Sequence, residues 1–302
     1  MAKFRMSNID EFGDPATLAR YLGEQLISGR LTLVLGAGIS KAFGLPEWDQ
    51  LLGRLFAQHG ESLPAQDAKR QAEFLRNKFY RNDSDKFRAD VKKALYRDVG
   101  VSYEVVRRCD TLAAVGSLAM TSRRGSASQL ITFNWDDLLE TYLEYHGFVT
   151  ASVDSDRHWA TATDVTIFHP HGFLPLSATR RDSESIVFDQ LSYTSIMGEE
   201  GRLWRQTLLS IMRSRTSILI GLSGNDDNLD LLLMECKGGH ASMLERTAFW
   251  GVTYTTNDED HETLFWKQRG VYPVVVTDYE RDLPQRLFSI AQEAARSKRS
   301  SL

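Results

Sequence analysis

The chain of 302 residues has only two cysteines, Cys109 and Cys236. Two thiols cannot build a disulfide framework, nor a four-thiolate zinc site within this chain. Charge of one sign is also scarce. With 36 Lys and Arg against 40 Asp and Glu, the net charge is −4, which gives no basic field to make nucleic acid a main partner. The only basic cluster, Arg296-Ser-Lys-Arg299, reads as a solvated tail. No apolar run reaches the length that spans a bilayer. The opening Met1-Ala-Lys-Phe-Arg-Met-Ser has no signal-peptide apolar core. A soluble, cytoplasmic protein is expected, with no membrane and no direct nucleic-acid partner. Internal repeats and low-complexity segments are lacking too. The length fits one large domain, or one domain with an insertion.

What is present begins with Leu31-Thr-Leu-Val-Leu-Gly-Ala-Gly-Ile-Ser40. The apolar run Leu31–Leu35 reads as a short buried strand. Gly36 and Gly38 then let the backbone turn and approach a ligand without a Cβ in the way. Ser40 offers a hydroxyl and a backbone N–H where a following helix would begin, a natural seat for phosphate. The third glycine of a dinucleotide G-x-G-x-x-G fingerprint is replaced by Lys41, and no P-loop sequence occurs.

A first helix is predicted over 14–28, with Leu18, Leu22 and Leu26 on one face and Gly29 ending it. After Pro46 comes a helix carrying Trp48, Leu51, Leu52, Leu55 and Phe56, with Trp48 read as core. Residues 65–120 have helical spacing and no convincing strand, and are expected to be a helical insertion, about 60–125, capping a sheet domain. Further strands are predicted at Leu130–Phe133, Val165–Phe168, Ser217–Ile220, Ala248–Thr253 and Val271–Val276, and Ile186–Phe188 opens a segment that continues as helix. Asn134 or Asp136 can cap a helix carrying Leu138 and Leu139. Cys236 and His240 stand at i, i+4 without an evident third ligand and read as structural. Strands alternating with helices predict an α/β fold, a Rossmann-like parallel sheet with helices on both faces. Ligands in such sheets bind beyond the strands' carboxyl ends. Four polar corners fall there: Gly36–Ser40, Asn134–Asp137, His169–Gly172 and Gly221–Asp227.

Taken together these corners resemble the sirtuin superfamily. The matching residues are Gly36-Ala-Gly-Ile-Ser40 with Gly44-Leu-Pro46; Thr132-Phe-Asn-Trp-Asp136, where sirtuins carry T-Q-N-I-D; His171-Gly172, where they carry the catalytic H-G; and Gly221-Leu-Ser223, in place of a later G-T-S. They span residues 31–223. The four cysteines of the deacylase zinc module are missing, Phe133 replaces Gln, and Glu47-Trp-Asp49 replaces Asp-Phe-Arg. Those departures point away from peptide deacylation. The run Asn134-Trp-Asp-Asp-Leu-Leu139 and the segment Phe188–Tyr193 are similar to the zinc-free sirtuin-like proteins of bacterial anti-phage defence.

That resemblance implies a catalytic domain over 14–295, with tails 1–13 and 296–302. It implies an NAD+ glycohydrolase that releases nicotinamide and ADP-ribose, uses no metal, and depletes NAD+ during infection. The short chain leaves no length for a separate sensor. The trigger would then come from a companion such as an ATPase or an Argonaute-like protein, from a nucleotide ligand, or from a homo-oligomer. Breaking the nicotinamide–ribose bond passes through an oxocarbenium-like state and needs orientation and a base more than a strong acid. Asn134 can hold a water or ribose hydroxyl without titrating. His171 suits the base role, and Asp136 can orient ribose. Gly36, Ala37, Gly38 and Ser40 would hold the pyrophosphate, and Ser223 the adenosine side, with Thr132 and Gly221 completing the binding set. His169 is a rival base, and Asn134 and Asp136 are also good helix caps. Two other readings stay open: a non-catalytic module binding NAD or an ADP-ribose nucleotide, and a protein ADP-ribosyltransferase or deacylase.

Overall fold

The computed structural model describes residues 12–81, 83–120, 125–155, 162–189, 191–193, 201–222, 226–240 and 249–296. Within them seven strands form one sheet in the order β3-β4-β2-β1-β5-β6-β7, every pairing parallel. The strands are β1 (Leu31–Leu35), β2 (Gln129–Thr132), β3 (Thr150–Val153), β4 (Val165–Phe168), β5 (Thr216–Ile220), β6 (Gly251–Thr255) and β7 (Val271–Val275). This is the Rossmann-like α/β arrangement expected from the alternation of strands and helices.

Side chains alternate across the sheet, so each central strand feeds two cores. Leu33, Leu35, Leu130, Ile218 and Ile220 point to a face covered by helices Pro15–Ile27, Asp110–Ala119, Leu138–Tyr145 and Asp282–Arg296. Val34, Ile131 and Leu219 point to the other face, under helices Arg202–Ser214, Asp227–His240 and Asp260–Gln268. Central strands apolar on both sides cannot face water on either, which is why successive residues in them are apolar rather than alternating.

A third apolar cluster lies outside the sheet sandwich. Helices Trp48–Gln58, Ala68–Phe79 and Ser84–Leu95 bury Leu52, Leu55, Phe56, Leu75, Phe87 and Val91 against Leu174, Ile186 and Phe188. Helix Asp110–Ala119, by contrast, packs into the main core. Residues 186–188, expected to open a segment that continues as helix, are irregular and buried in the third cluster. The edge strand β3 was not expected: Thr-Ala-Ser-Val offers little apolar signal, and only Ala151 and Val153 are buried. β6 begins at Gly251, and Ala248, where it was expected to start, lies outside the described residues.

The chain leaves β1 toward β2 on one side and returns to β5 on the other. The carboxyl end of β1 is therefore the topological switch point of the sheet, where a crevice forms. Because every strand is parallel, the four polar corners at the ends of β1, β2, β4 and β5 share that edge.

Candidate active site

The corner after β1 is shaped by its fit against the corner after β5. The Gly36 N–H donates to the Ile220 carbonyl (2.9 Å) and the Gly38 N–H to the Gly221 carbonyl (3.1 Å). A Cβ on Gly38 would stand 2.6 Å from Gly221 Cα, and one on Gly36 2.5 Å from the Gly221 oxygen. Gly221 itself has φ +68°, a left-handed conformation that side chains resist. The close approach these glycines permit is thus first an approach of two backbone corners. Two short 3-10 turns, Ala37–Ile39 and Lys41–Phe43, follow β1 in place of the expected helix start. The Ser40 N–H is bonded to the Ala37 carbonyl (3.0 Å), so it is not the free donor anticipated. Ser223 lies outside the described residues.

Beside this corner stands the segment after β2. The Asn134 carboxamide donates from Nδ2 to the Gly36 carbonyl (3.1 Å) and to Ser40 Oγ (3.0 Å). Ser40 Oγ in turn donates to Asp136 Oδ2 (2.9 Å). The Thr132 hydroxyl accepts from the Asn134 N–H (3.2 Å). Asn134, Ser40 and Asp136 thus form one buried chain across the ends of β1 and β2. Asn134 does not cap the helix that follows. Asp136 does so in part, its Oδ1 accepting from the Leu138 N–H (3.1 Å). Burial pushes the Asp136 carboxyl up to about 6, against the lowering effect of the Ser40 and Leu138 bonds.

His169 and His171, two residues apart, have different surroundings. His169 is fully buried. Its Nε2 meets Glu140 Oε1 at 2.7 Å, and its Nδ1 lies 3.0 Å from the Asn134 carbonyl oxygen. Glu140 also accepts from Ser152 Oγ (2.9 Å). Burial alone would push His169 down and Glu140 up. Their mutual attraction and hydrogen bond outweigh it, so His169 is raised and Glu140 lowered. Both His169 nitrogens are occupied by the protein, so the rival base is a fixed cation that anchors the Asn134 main chain.

Gly172 (φ +91°) turns the chain after His171, and a Cβ there would strike the Ser185 oxygen at 2.6 Å. The His171 ring sits edge-on to Phe133 (4.8 Å) and Tyr193 (5.5 Å). Its carbonyl accepts from Trp135 Nε1 (2.9 Å) and the Val187 N–H (2.9 Å). The Nε2 atom faces the loop after β5, with Asn228 Nδ2 at 3.3 Å and Asp226 Oδ2 at 3.4 Å. Burial pushes His171 down, only partly offset by Asp226, which keeps the imidazole neutral near pH 7 with a basic nitrogen. Asp226 and Asn228 were not singled out from the sequence. The cue was available in the polar run after β5, but nothing local says which of its Asp and Asn residues turns toward β4.

Asp137, fully buried, accepts from the Leu176 N–H (2.8 Å) and the Ser177 N–H (3.2 Å) and pairs with Arg180. The loop after Gly172 is thereby tied to the segment after β2. Trp135 and Phe188 stack at 6.1 Å above it, in contact with the third apolar cluster. The helices at 48–95 pack against the segments that flank the site, through Trp135, Leu174, Ile186 and Phe188. Among the described residues no group of three or more His, Cys, Asp or Glu side chains is placed to hold a metal, and no helix is long and apolar enough to cross a membrane.

Residues 128–274 match the family model of the SIR2-like domain. The match begins just before β2 and runs almost to the end of β7, taking in Asn134, Asp136, His171, Asp226 and Asn228. The chain is also similar to "NAD(+) hydrolase ThsA" of Enterococcus faecium, 20% identical over 229 residues. That stretch is 74% of this chain and 43% of the relative, so the chain spans less than half of that protein's length. The SIR2-like resemblance holds, the matched residues taking in the corners after β2, β4 and β5.

Proposed function

We propose that the protein is an NAD+ glycohydrolase. The reading rests on one observation above the rest: a neutral, buried imidazole, His171, and a buried carboxamide, Asn134, at the switch point of a SIR2-like sheet. NAD+ would lie across the β1 end. Its pyrophosphate would sit along residues 36–40, and its nicotinamide ribose between Asn134, Asp136 and His171. The bond from ribose C1′ to the pyridinium nitrogen breaks with its electron pair going to nicotinamide, which leaves neutral. A water oxygen bonds to C1′, and its proton passes to His171 Nε2. Asp226, 3.4 Å away, then faces the imidazolium it stabilises. Asn134 and the Ser40–Asp136 pair supply orientation rather than proton transfer.

The setting proposed is bacterial anti-phage defence, supported by the likeness of Asn134–Leu139 and Phe188–Tyr193 to the zinc-free sirtuin-like proteins of such systems. Asn134, Asp136 and His171 are each 9% exposed or less, and helices 48–95 pack on the neighbouring Trp135, Leu174, Ile186 and Phe188. Such a closed site suits an enzyme that rests inactive until a partner protein, a nucleotide ligand or self-assembly opens it.

The test is nicotinamide release from NAD+ by the full chain, alone and with candidate activators. His171→Ala and Asn134→Ala should each lose about 100-fold to 10,000-fold in rate while circular dichroism and melting stay close to wild type. Full release by a folded His171→Ala protein would overturn the assignment. A wild type that binds NAD+ but never turns it over under any activating condition would replace it with a nucleotide-binding module.

A further inference from the structure

Three buried side-chain polar atoms have no hydrogen-bond partner among the described residues: Trp204 Nε1, Ser217 Oγ and Asn228 Oδ1. Trp204 lies in the apolar cluster under the sheet, and Ser217 is the second residue of β5, away from its carboxyl end. Asn228 alone stands at the site. It is 2% exposed, and buried amides are almost always satisfied, so an unmet one at a site marks a place for a ligand.

We propose that Asn228 is a further residue of the site, gripping His171 with one atom of its carboxamide and taking a ribose hydroxyl of the nucleotide with the other. The proposal rests on the NAD+ reading and adds a substrate contact that neither the motifs nor the family likeness supplied.

The geometry supports both halves. Asn228 is the second residue of helix Asp227–His240. Asp226 Oδ1 caps that helix at the Leu229 N–H (2.9 Å) and leaves Oδ2 toward His171. The capped turn holds Asn228 Nδ2 at 3.3 Å from His171 Nε2. A donor there requires the neutral imidazole with its proton on Nδ1, the tautomer that carries the basic lone pair on Nε2. The amide oxygen is then left without a donor. A hydroxyl both donates and accepts, so it satisfies whichever amide atom the imidazole leaves over. Asp226 is the charged group facing the ring from the β5 loop. Tyr193 is the other titratable neighbour, and Phe133 covers the β2 side. Asp227 turns outward to Lys69.

Two variants separate the halves. Asn228→Ala removes both, and should weaken ADP-ribose binding by tenfold or more in calorimetry. Asn228→Asp is isosteric and keeps the acceptor. It should hold ADP-ribose within a few-fold of wild type, yet raise the His171 titration by about one unit or more, read by NMR on histidine-labelled full chain. The acid limb of kcat should move with it. A purely structural role would lower the melting temperature and leave the His171 titration in place. Wild-type ADP-ribose affinity in a folded Asn228→Ala protein overturns the ribose contact, and with a reduced kcat it would assign the oxygen to the attacking water. If Asn228→Ala does not fold, Asn228→Asp decides: an unmoved His171 titration overturns the grip on the imidazole, and a large loss of ADP-ribose affinity overturns the acceptor. If wild type binds ADP-ribose but releases no nicotinamide, hydrolysis fails and the Asn228 contact is judged on binding alone. If wild type binds neither NAD+ nor ADP-ribose, the NAD+ reading falls and takes the ribose contact with it.

Discussion

Replacing Glu140 with alanine should be among the most damaging single changes in the molecule, although Glu140 touches no substrate in the reading above. Its carboxylate is 1% exposed and faces a histidine that is 0% exposed, at 2.7 Å. Removing one partner of a buried pair strands the other, at a cost of about 3–5 kcal/mol. For a chain of this size that is a fall in melting temperature of roughly 6–20 °C. The pH dependence carries the sharper signature. Glu140 is lowered from its ordinary 4.5, so its contribution is present above that value and lost as pH falls through the folded pKa. His169 is raised from 6.5, so its contribution is full below 6.5 and lost as pH rises through its folded pKa. The pair therefore stabilises most between about pH 4.5 and 6.5. Urea unfolding at pH 5.5, 7 and 9 should show the Glu140→Ala deficit greatest at pH 5.5 and least at pH 9. Activity should fall too, because His169 is the anchor of the Asn134 carbonyl. A deficit under 1 kcal/mol at pH 5.5, or one that grows with pH, would refute a charged His169.

Asp136→Asn should lose activity yet gain on the order of 1–3 kcal/mol of stability at pH 8, since it removes a carboxylate whose burial pushes it up to about 6; denaturant titration checks this, and a loss of stability at pH 8 would count against it. Gly38→Ala should cost about 1–3 kcal/mol through overpacking, because its Cβ meets the Gly221 backbone at 2.6 Å; a melting temperature equal to wild type with impaired NAD+ binding would restore a purely ligand-facing role for this glycine. Lys69→Ala breaks the exposed ion pair from the helices at 48–95 to Asp227 and should raise resting nicotinamide release by no more than about fivefold, since such a pair is worth up to about 1 kcal/mol; a larger rise would make it the main latch. Exhaustive chelation should leave melting unchanged, and stoichiometric zinc with unfolding on its removal would contradict the expected metal-free fold.

The fold was legible where chemistry repeats along the chain. The largely apolar runs at Leu31–Leu35 and Ser217–Ile220 announced central parallel strands, because strands covered on both faces carry apolar residues at successive positions. The edge strand Thr150–Val153 was not legible, since one covered face asks for only two apolar residues. At Ile186–Phe188 three apolar residues in a row said only that the segment is buried, and they pack as irregular chain in the third cluster. The glycines of the β1 corner were visible in the sequence, but the second backbone they pack against was not. A close approach can be to a ligand or to another backbone, and Gly221 is 185 residues from Gly36 along the chain.

The two histidines mark the limit of reading function from spacing. His169 and His171 are both buried, so burial pushes each toward the neutral form. What separates them is what the third dimension sets beside each ring. Helix Leu138–Tyr145 brings a desolvated carboxylate to His169 and seals both of its nitrogens. The loop after β5 brings His171 a carboxylate at 3.4 Å that also caps a helix, and an amide with one atom unmet. Gly172 makes the difference possible, because its positive φ turns the chain after His171, where a side-chain-bearing residue would collide with Ser185. One histidine is spent on architecture and holds the Asn134 backbone in place. The other is buried without a fixed countercharge in hydrogen-bond contact, and burial pushes it toward the neutral form. The Asn134 main chain is thus held by a single buried ion pair, and a mutation in the structural histidine should be read first as a loss of Asn134 geometry.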